Sequence, residues 1–514
     1  MKSSHHPRSP KVIAIGLDAA DPELLVEWAI AGHMPNLHGL MQKGVIGRLQ
    51  SPPGMADDAV WASFSTGVWP TDHGRFDYLA RLPGHYEPVR FQDHHFVHRP
   101  FWEFLDSQGV RVAVLDVPKS PQARLVHGIE VNNFRVHGVD GKLTSRPPAL
   151  AEELSKRFSP DQTDRPDGDR FVCEPGPLSP ADRSRFIELT RQSVVDKTGV
   201  ALALLEQGCD FFLTVFKEAH CVGHKLWPPG PDMQTIYAEL DSALGRLLRS
   251  ADSQTTTIVF TNLGMSCNYH GNAMLDQILR RLERRLLSTW SNLRIESDKF
   301  VHRVSRRLGL NSQTQGLKRR LAFIVPSNDI SGAIRINLTG REPNGRVAGG
   351  TEHHRLCDRI EAEMMGLRNV ETGQPVVRNV VRLDLSKTGT RINYLPDMLV
   401  VWHRDAPIRS VKSHSIGVVH ARNELESPGN HVEGGFYVAA GPDHSDTGAV
   451  DATGRDDTIV DLAPTIAELF GLQLPNAAGR AIPSIVATTR HAVRHEESSA
   501  PPLSLDGQQI CIKT

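Results

Sequence analysis

The sequence predicts an α/β fold in which a mostly parallel central sheet is flanked by helices. Short runs rich in β-branched residues stand at 11–17, 111–118, 209–216 and 255–260, and none alternates with polar residues. Such runs are typical of strands buried on both faces of a parallel sheet. Helical patterns follow at 22–31, 182–206 and 228–250. The 514 residues suffice for one large α/β domain with insertions or for two or three average domains.

Composition and charge describe an ordinary globular protein. A formal net charge of -1 gives no sign of a nucleic-acid surface. No apolar run reaches the roughly 18 residues that a bilayer crossing needs. Residues 1–10 lack the apolar run of a secretory signal and are predicted to be flexible, and the polar segment 488–514 is predicted to be a mobile tail. The six cysteines contain no C-x-x-C pair, which predicts reduced thiols in a cytoplasmic protein.

Acidic residues stand where the first predicted strands end. Asp18 follows the run 11–17, and open α/β sheets place their ligands at the carboxyl ends of strands. The alternative for Asp18 is a helix cap. A strand at 47–51 leads into PPGMADDAVWASFSTGVWPTDHGRFDY, in which Asp57 and Asp58 open a short helix. The free N–H groups of that helix end suit a phosphate- or sulfate-like anion, whereas a capped surface helix is the plain alternative.

Two histidines follow the strand predicted at 209–216. His220 and His224 are four residues apart, so they share one face if this segment is helical, and a shared face is a metal-chelating geometry. H-x-x-x-H alone is a common pattern, and its place directly after a buried strand strengthens it. The run 255–260 ends in T-N-L-G-M, which contains Asn262.

Residues 273–330 differ in character from the rest. Their arginine-rich amphipathic patterns predict an inserted basic helical cap between a first core part, 11–272, and a second, 331–487. A solvated helical face is the favoured interpretation of these charges, with an anion or membrane contact as the alternative. Residues 119–180 are expected to be mostly loop with a helix near 150–158. The pair His353-His354 lies in a predicted helix and is expected at the surface.

Motifs that resemble one protein family occur along most of the chain. The pattern W-x-S-x-x-T-G-x-x-P-x-x-H-G, which starts at Trp61, resembles the nucleophile segment of the type I phosphodiesterase/nucleotide pyrophosphatase family in the alkaline phosphatase superfamily. The segments INLTGREP and PDMLVVW and a closing helix at 461–471 are similar to that family too. The resemblance covers roughly 11–78, 209–265 and 332–485. It implies an alkaline phosphatase-like fold with the site at the strand C-termini.

The same resemblance implies roles for individual residues, with departures. Asp57 stands where the family has its Thr or Ser nucleophile. His224 matches a ligand of the first metal, and His220 replaces the Asp of the family's D-x-x-x-H. In the family's S-D-H-G-M motif, Asp and His bind the second metal, and Asn262 and Leu263 replace them here. An Asn amide is a poor ligand for a transition metal and Leu is none.

His431 matches the family's last ligand of the first metal, in G-x-H-x-x-x-G. The first site thus becomes a set of three histidines, His220, His224 and His431, which is a sound arrangement for a catalytic metal. The second becomes Asp18, Asp57 and Asn262, of which Asn262 is expected to contact substrate. We therefore expect one divalent ion, with zinc as the first choice and manganese or iron as alternatives.

Three functions are compatible with these residues. The favoured one is a mononuclear metal-dependent hydrolase of a small-molecule phosphate or sulfate ester, in which Asp57 or Asp58 acts as ligand, general base or nucleophile. The second is a phospho- or sulfotransferase that uses an acceptor other than water. The third is a degenerate family member that binds an anion or a partner without turnover. The sequence leaves the substrate and the oligomeric state open.

Overall fold

The computed structural model describes residues 10–134, 143–158, 176–286, 316–327, 330–383, 389–421, 427–442, 450–451 and 457–486. Its α-helices are α1 Pro22–Ile30, α2 Pro35–Lys43, α3 Asp57–Thr66, α4 Pro70–His73, α5 Phe101–Ser107, α6 Pro148–Arg157, α7 Pro180–Glu206, α8 Glu218–Leu226, α9 Pro231–Leu248, α10 Asn272–Leu286, α11 Thr351–Met365 and α12 Leu462–Leu469. Its strands are β1 Val12–Leu17, β2 Val45–Leu49, β3 Leu79–Ala80, β4 Val89–Arg90, β5 Val112–Leu115, β6 Ile129–Asn132, β7 Thr144–Arg146, β8 Phe211–Phe216, β9 Thr256–Thr261, β10 Gly264–Cys267, β11 Ala322–Ile324, β12 Ser331–Ile336, β13 Arg368–Asn369, β14 Val377–Arg382, β15 Met398–Trp402, β16 Ser410–Ser413, β17 Gly417–His420, β18 Gly429–Val432, β19 Gly435–Ala440 and β20 Val450–Asp451.

A nine-stranded sheet forms the centre of the molecule, in the order β20-β2-β19-β9-β1-β8-β5-β6-β7. β1 lies between β8 and β9 and is parallel to both, so that Val12 faces Phe211 on one side and Thr256 on the other. β19 and β7 run antiparallel to their neighbours. The mostly parallel α/β sheet predicted from the sequence is therefore confirmed.

The two faces of β1 explain why the run shows no alternation. Ile13 and Ile15 pack into an apolar layer on one face of the sheet, and Val12 and Ala14 pack into a second layer on the other. All four side chains are fully buried. Since helices cover both faces, each position of the strand must be apolar.

The segment 119–180, predicted to be mostly loop, also contains two short strands that the sequence did not predict. β6 and β7 fall within it and extend the central sheet beyond β5. β7 is only three residues long, with the polar sequence Thr-Ser-Arg, and therefore carries no periodicity that a sequence pattern could reveal. The expected helix is present as α6. Residues 135–142 and 159–175 lie outside the described part of the chain.

A second lobe is built around the four-stranded sheet β11-β12-β15-β14. α10 buries its apolar face, including Met274 and Ile278, in the same cluster as Ile334 and Val400 of this sheet. The first part of the predicted 273–330 cap thus belongs to the core of this lobe. Residues 322–324 form a strand rather than a helix, which corrects the prediction there. The arginine-rich helix predicted near 300–310 lies outside the described residues, and the cap as a whole stays a prediction.

The second lobe also contains a buried ionic network. Its members are Arg335, Arg341, Glu342, His353 and Asp397. Arg341 Nη2 lies 2.6 Å from Asp397 Oδ2, and Arg335 Nε lies 2.7 Å from Glu342 Oε1. His353 Nε2 lies 3.0 Å from the other oxygen of Asp397. His353 is therefore buried, whereas the sequence led us to expect it at the surface; its neighbour His354 is exposed.

No helix within the described ranges combines the length and the apolar character required to traverse a bilayer.

Candidate functional site

Three histidines meet at the carboxyl end of the central sheet. β8 ends at Phe216, and α8 then carries His220 and His224 one turn apart. His431 comes from β18, which pairs with β10 so that His431 faces Met265. The helix and this two-stranded sheet are adjacent, which brings residues more than 200 positions apart into contact.

Two glycines allow this approach. A Cβ atom on Gly429 would lie 2.1 Å from the carbonyl oxygen of Gly223, and one on Gly223 would lie 2.3 Å from the Met265 side chain. Because real Cβ atoms do not come this close to other heavy atoms, any larger residue at Gly429 would push α8 away from β18. The close packing of these two elements therefore fixes the separation of the three rings.

The rings form a compact triangle. Each of the three pairs has a centroid separation of 4.7 Å. Nε2 of His431 lies 3.2 Å from Nδ1 of His220. Nδ1 of His224 donates a hydrogen bond of 2.9 Å to the Gly429 carbonyl, and a neutral ring with its proton there presents a lone pair at Nε2. One nitrogen from each ring lies within 4.8 Å of the other two.

Electrostatics keep two of the rings neutral. Burial, followed by repulsion from His220, lowers the pKa of His224 to about 3. Burial, followed by repulsion from His220 and His224, holds the pKa of His431 well below its ordinary value. For His220, burial opposes the charged form, but the Asp18 carboxylate outweighs burial and raises its pKa. Neutral imidazoles are the form in which histidine binds a metal.

Asp18 joins the cluster from the end of β1. Its Oδ2 lies 3.2 Å from His220 Nδ1, and its Oδ1 accepts a hydrogen bond of 2.7 Å from the Trp61 indole N–H. Trp61 belongs to α3 and is fully buried. The indole therefore fixes one carboxylate oxygen, while the other faces the histidines.

The two neighbouring acids of α3 have different surroundings. Both lie in the first turn, as predicted, and both are buried. Asp58 Oδ1 accepts a hydrogen bond of 2.8 Å from Nε of the buried Arg75. The Asp57 carboxylate favours the charged form of all three histidines, although burial outweighs it at His224 and His431, so its charge acts on the cluster. Of the two candidate catalytic acids, Asp57 is thus the one that faces the site electrostatically.

Asn262 and Leu263 stand where the family motif S-D-H-G-M has the Asp and His ligands of its second metal. The Asn262 Oδ1 accepts a hydrogen bond of 2.8 Å from the Ala19 backbone N–H. This bond orients the amide, and its buried Nδ2 has no hydrogen-bond partner within the described residues. Leu263 is fully buried in an apolar cluster. This side of the site consequently offers an N–H donor and a hydrocarbon wall instead of two ligands.

Sequence reasoning missed three charged residues beside the acidic helix tip. They are Arg75, Asp77 and Lys119. Lys119 Nζ lies 3.6 Å from Asp58 Oδ2. Burial, followed by the charge of Asp58, raises the pKa of Asp77 to about 7. One signal was available: Lys119 directly follows the strand predicted at 111–118 and lies four residues after the end of β5, where ligands of open α/β sheets are found.

The histidine cluster fits a divalent metal ion. His431 Nδ1 is buried without a hydrogen-bond partner within the described residues, and its Nε2 faces another imidazole nitrogen. Three imidazoles, two of which burial holds neutral, with a carboxylate alongside are a donor set suited to zinc and other first-row metals. Without a ligand, the buried Nδ1 of His431 stays unsatisfied, which is unfavourable.

Similarity to solved structures supports the fold. Phosphonoacetate hydrolase from Sinorhizobium meliloti, solved with phosphonoformate, is 14% identical with a TM-score of 0.50, and the match covers 89% of this chain and 95% of that one. Mouse ectonucleotide pyrophosphatase/phosphodiesterase 5 is 11% identical with a TM-score of 0.50, over 92% and 97% of the two chains. At these identities the likeness concerns the fold alone.

A search of curated proteins finds no match to this chain. The model of one protein family, described as type I phosphodiesterase/nucleotide pyrophosphatase, matches residues 12–346. That range is well over half of the chain and contains Asp18, Asp57, His220, His224 and Asn262. This protein therefore belongs to the type I phosphodiesterase/nucleotide pyrophosphatase family, within the alkaline phosphatase superfamily.

Proposed function

We propose that this family member is a hydrolase of a small-molecule phosphate or sulfate ester that uses one divalent ion, held by His220, His224 and His431. The family consists of metal-dependent hydrolases. The observation that carries the proposal is the convergence of three buried imidazoles, with centroids 4.7 Å apart, beside Asp18 and the charge of Asp57.

The lost ligands support one ion instead of two. Relative to the family motif S-D-H-G-M, Asn262 and Leu263 replace the Asp and the His that bind the second metal. An Asn amide is a poor ligand for a transition metal and Leu is none, whereas the first site keeps three imidazoles.

The protein's own residues supply the remaining chemistry. Asp57, buried at the tip of α3, is the proposed general base that orients or deprotonates an attacking water. The buried amide N–H of Asn262 is a donor for a non-bridging oxygen of the ester. A divalent ion at the three histidines would add Lewis-acid polarisation of a substrate oxygen. Zinc is the expected ion because the donor set consists of imidazoles.

The test starts with metal analysis of the purified protein, and it continues with hydrolysis of an aryl phosphate diester and an aryl sulfate. We expect about one ion per chain and turnover of at least one of the two esters, since three imidazoles form a complete protein ligand set for a catalytic ion. His224→Ala should remove both the ion and the activity. His354→Ala is the matched control, because His354 is an exposed histidine of α11 in the other lobe.

The outcomes separate the three functions. Absence of bound metal in the wild type, with no turnover of either ester, would support a degenerate binding protein. Release of the aryl group only when an acceptor alcohol is added would identify a transferase. Metal binding with direct hydrolysis, lost in His224→Ala and kept in His354→Ala, supports the proposal.

The predicted cytoplasmic location agrees with the four cysteines of the described residues, Cys209, Cys221, Cys267 and Cys357, all of which are free thiols.

A further inference from the structure

A small cavity lies between the segment that follows α4 and the second lobe. Its wall includes Gly74, Phe76 and Arg81 from the segment, and Val325, Arg335 and Tyr394 from the lobe. The volume of the cavity is about 10 Å³, which is room for one particle of the size of a water molecule. The cavity can therefore hold one small ligand and excludes larger ones.

The Arg81 side chain is buried in this wall with two of its donors unused. Arg81 is 8% exposed, and its Nε and Nη1 have no hydrogen-bond partner within the described residues. Its guanidinium carbon lies 5.3 Å from the centre of the Phe323 ring. A cation–π contact of this kind orients the group but leaves its N–H donors unsatisfied. Because arginine does not give up its proton, a buried guanidinium in this state requires an acceptor.

A second arginine belongs to the same wall. Arg335 is fully buried, and its Nε lies 2.7 Å from Glu342 Oε1. The same carboxylate oxygen accepts a hydrogen bond of 2.8 Å from Nε of Arg341, so one acid is shared by two guanidinium groups. Burial, followed by repulsion from Arg341, lowers the pKa of Arg335 to about 10. The cavity is therefore positive on both of its sides.

Carboxylates do not reach this space. In the described part of the chain, the wall of the cavity contains neither aspartate nor glutamate. Glu342 and the exposed Glu87 favour the charged form of Arg81, but burial outweighs both of them and lowers its pKa. Neither carboxylate accepts a hydrogen bond from Nε or Nη1. A water molecule would accept these hydrogen bonds and leave the charge uncompensated, whereas an anion satisfies both requirements.

We propose that the cavity binds one halide ion, of the size of chloride, against the guanidinium of Arg81. A halide is close to water in size and accepts hydrogen bonds from several N–H groups, whereas phosphate, sulfate and carboxylate groups are larger than the space. Gly74 and Phe76 flank Arg75, the partner of Asp58, so the bound ion ties the segment that orients Asp58 to the second lobe. The site contains none of the three clustered histidines and does not depend on the proposed hydrolase function.

The test measures the melting temperature of the purified protein as chloride replaces gluconate at constant ionic strength. Gluconate is too large for the cavity and serves as the reference anion. Between about 1 mM and about 150 mM chloride, we expect the melting temperature of the wild type to rise by about 2–4 °C. Arg81→Met should lose this rise and Arg81→Lys should keep part of it. Arg359→Met is the matched control and should keep all of it, because Arg359 is an exposed arginine of α11.

Two results of this titration would overturn the proposal. One is the absence of a chloride-dependent rise in the wild type. The other is a full rise in Arg81→Met, which would place the chloride elsewhere, for instance on a metal ion at the histidines. Crystals of the wild type soaked in bromide provide a second measurement that needs no variant. An anomalous peak in contact with Nε and Nη1 of Arg81 supports the proposal, and a water molecule at that position overturns it.

Discussion

Two buried polar clusters of this protein differ in how completely their polar atoms are paired within the cluster. In the second lobe, His353, Arg335, Arg341, Glu342 and Asp397 pair cations with carboxylates at short distances. In the central domain, His220, His224 and His431 face one another, and one ring nitrogen has no partner within the described residues. The first arrangement satisfies its own charges, as a structural network must. The second leaves lone pairs directed at a common space, as a ligand site does.

The pKa values of His353 and His224, which represent the two clusters, shift in opposite directions. The hydrogen bond to Asp397, followed by the contact with Cys357, raises the pKa of His353 to about 9. Burial and neighbouring imidazoles instead lower the pKa of His224 to about 3. A histidine that stabilises the fold is thus held in its charged form. His224 and His431 are instead held neutral, at a cost in stability that a bound ion would offset.

The strongest test of this contrast exchanges one histidine from each cluster for leucine. His431→Leu should abolish metal binding and reduce activity by about three orders of magnitude or more, because one of three ligands is lost. In metal-free protein, however, we expect the same variant to be about 1–3 kcal/mol more stable than wild type, since it removes a buried unsatisfied nitrogen. Metal analysis, kinetic assays and denaturant unfolding in the presence of a chelator provide the three measurements.

His353→Leu should behave in the opposite way. It removes one of the two hydrogen-bond donors to Asp397 Oδ1, of which Arg341 Nη1 remains, and should destabilise the protein by about 1–3 kcal/mol, with metal content and specific activity unchanged. Equal losses of stability in the two leucine variants would contradict the division into a structural and a ligand cluster.

The second test separates the adjacent acids of α3. Asp57→Asn should lower kcat by about two to four orders of magnitude, the range for loss of a general base, with little change in melting temperature. Asp58→Asn should instead leave the buried guanidinium of Arg75 without a charge partner and cost about 3–5 kcal/mol in stability. Steady-state kinetics and thermal unfolding of both variants distinguish these results. Full activity in Asp57→Asn would move the catalytic base to another residue, with Asp58 as the next choice.

Some of the fold and of the candidate site could be predicted from the sequence, and some could not. The central sheet follows from continuous apolar runs, and His220, His224 and His431 follow from strand ends and motif spacing. The sequence could not distinguish Asp57 from Asp58, because adjacent helical residues point about 100° apart and only the position of Arg75 decides which of them faces the site. Lys119 carries no motif, since its placement depends on a left-handed turn held by two distant lysines.

The third test concerns the structural cluster alone. Arg341→Met removes the guanidinium partner of Asp397 and one of the two guanidinium partners of Glu342, and both carboxylates are buried. We expect a loss of about 3–5 kcal/mol in the free energy of unfolding, with unchanged metal content per folded molecule. Arg382→Met is the matched control: its partner Asp358 is 64% exposed, so its loss should cost about 1 kcal/mol or less. Similar losses in both arginine variants would mean that burial does not strengthen the network.

The smallest expected effect is the pH dependence that His353 confers on stability. Its pKa is about 9 in the folded protein, compared with about 6.5 in an unfolded chain. Because the folded state binds the proton more tightly, the contribution of His353 is fully present below about pH 6.5 and is lost as the pH rises through about 9. After allowance for solvent screening, we expect about 1–2 kcal/mol. Unfolding free energies of wild type and His353→Gln, measured from pH 6 to pH 10, should therefore differ most at pH 6 and converge towards pH 10. A constant difference across this range would show that His353 acts through packing and not through its charge.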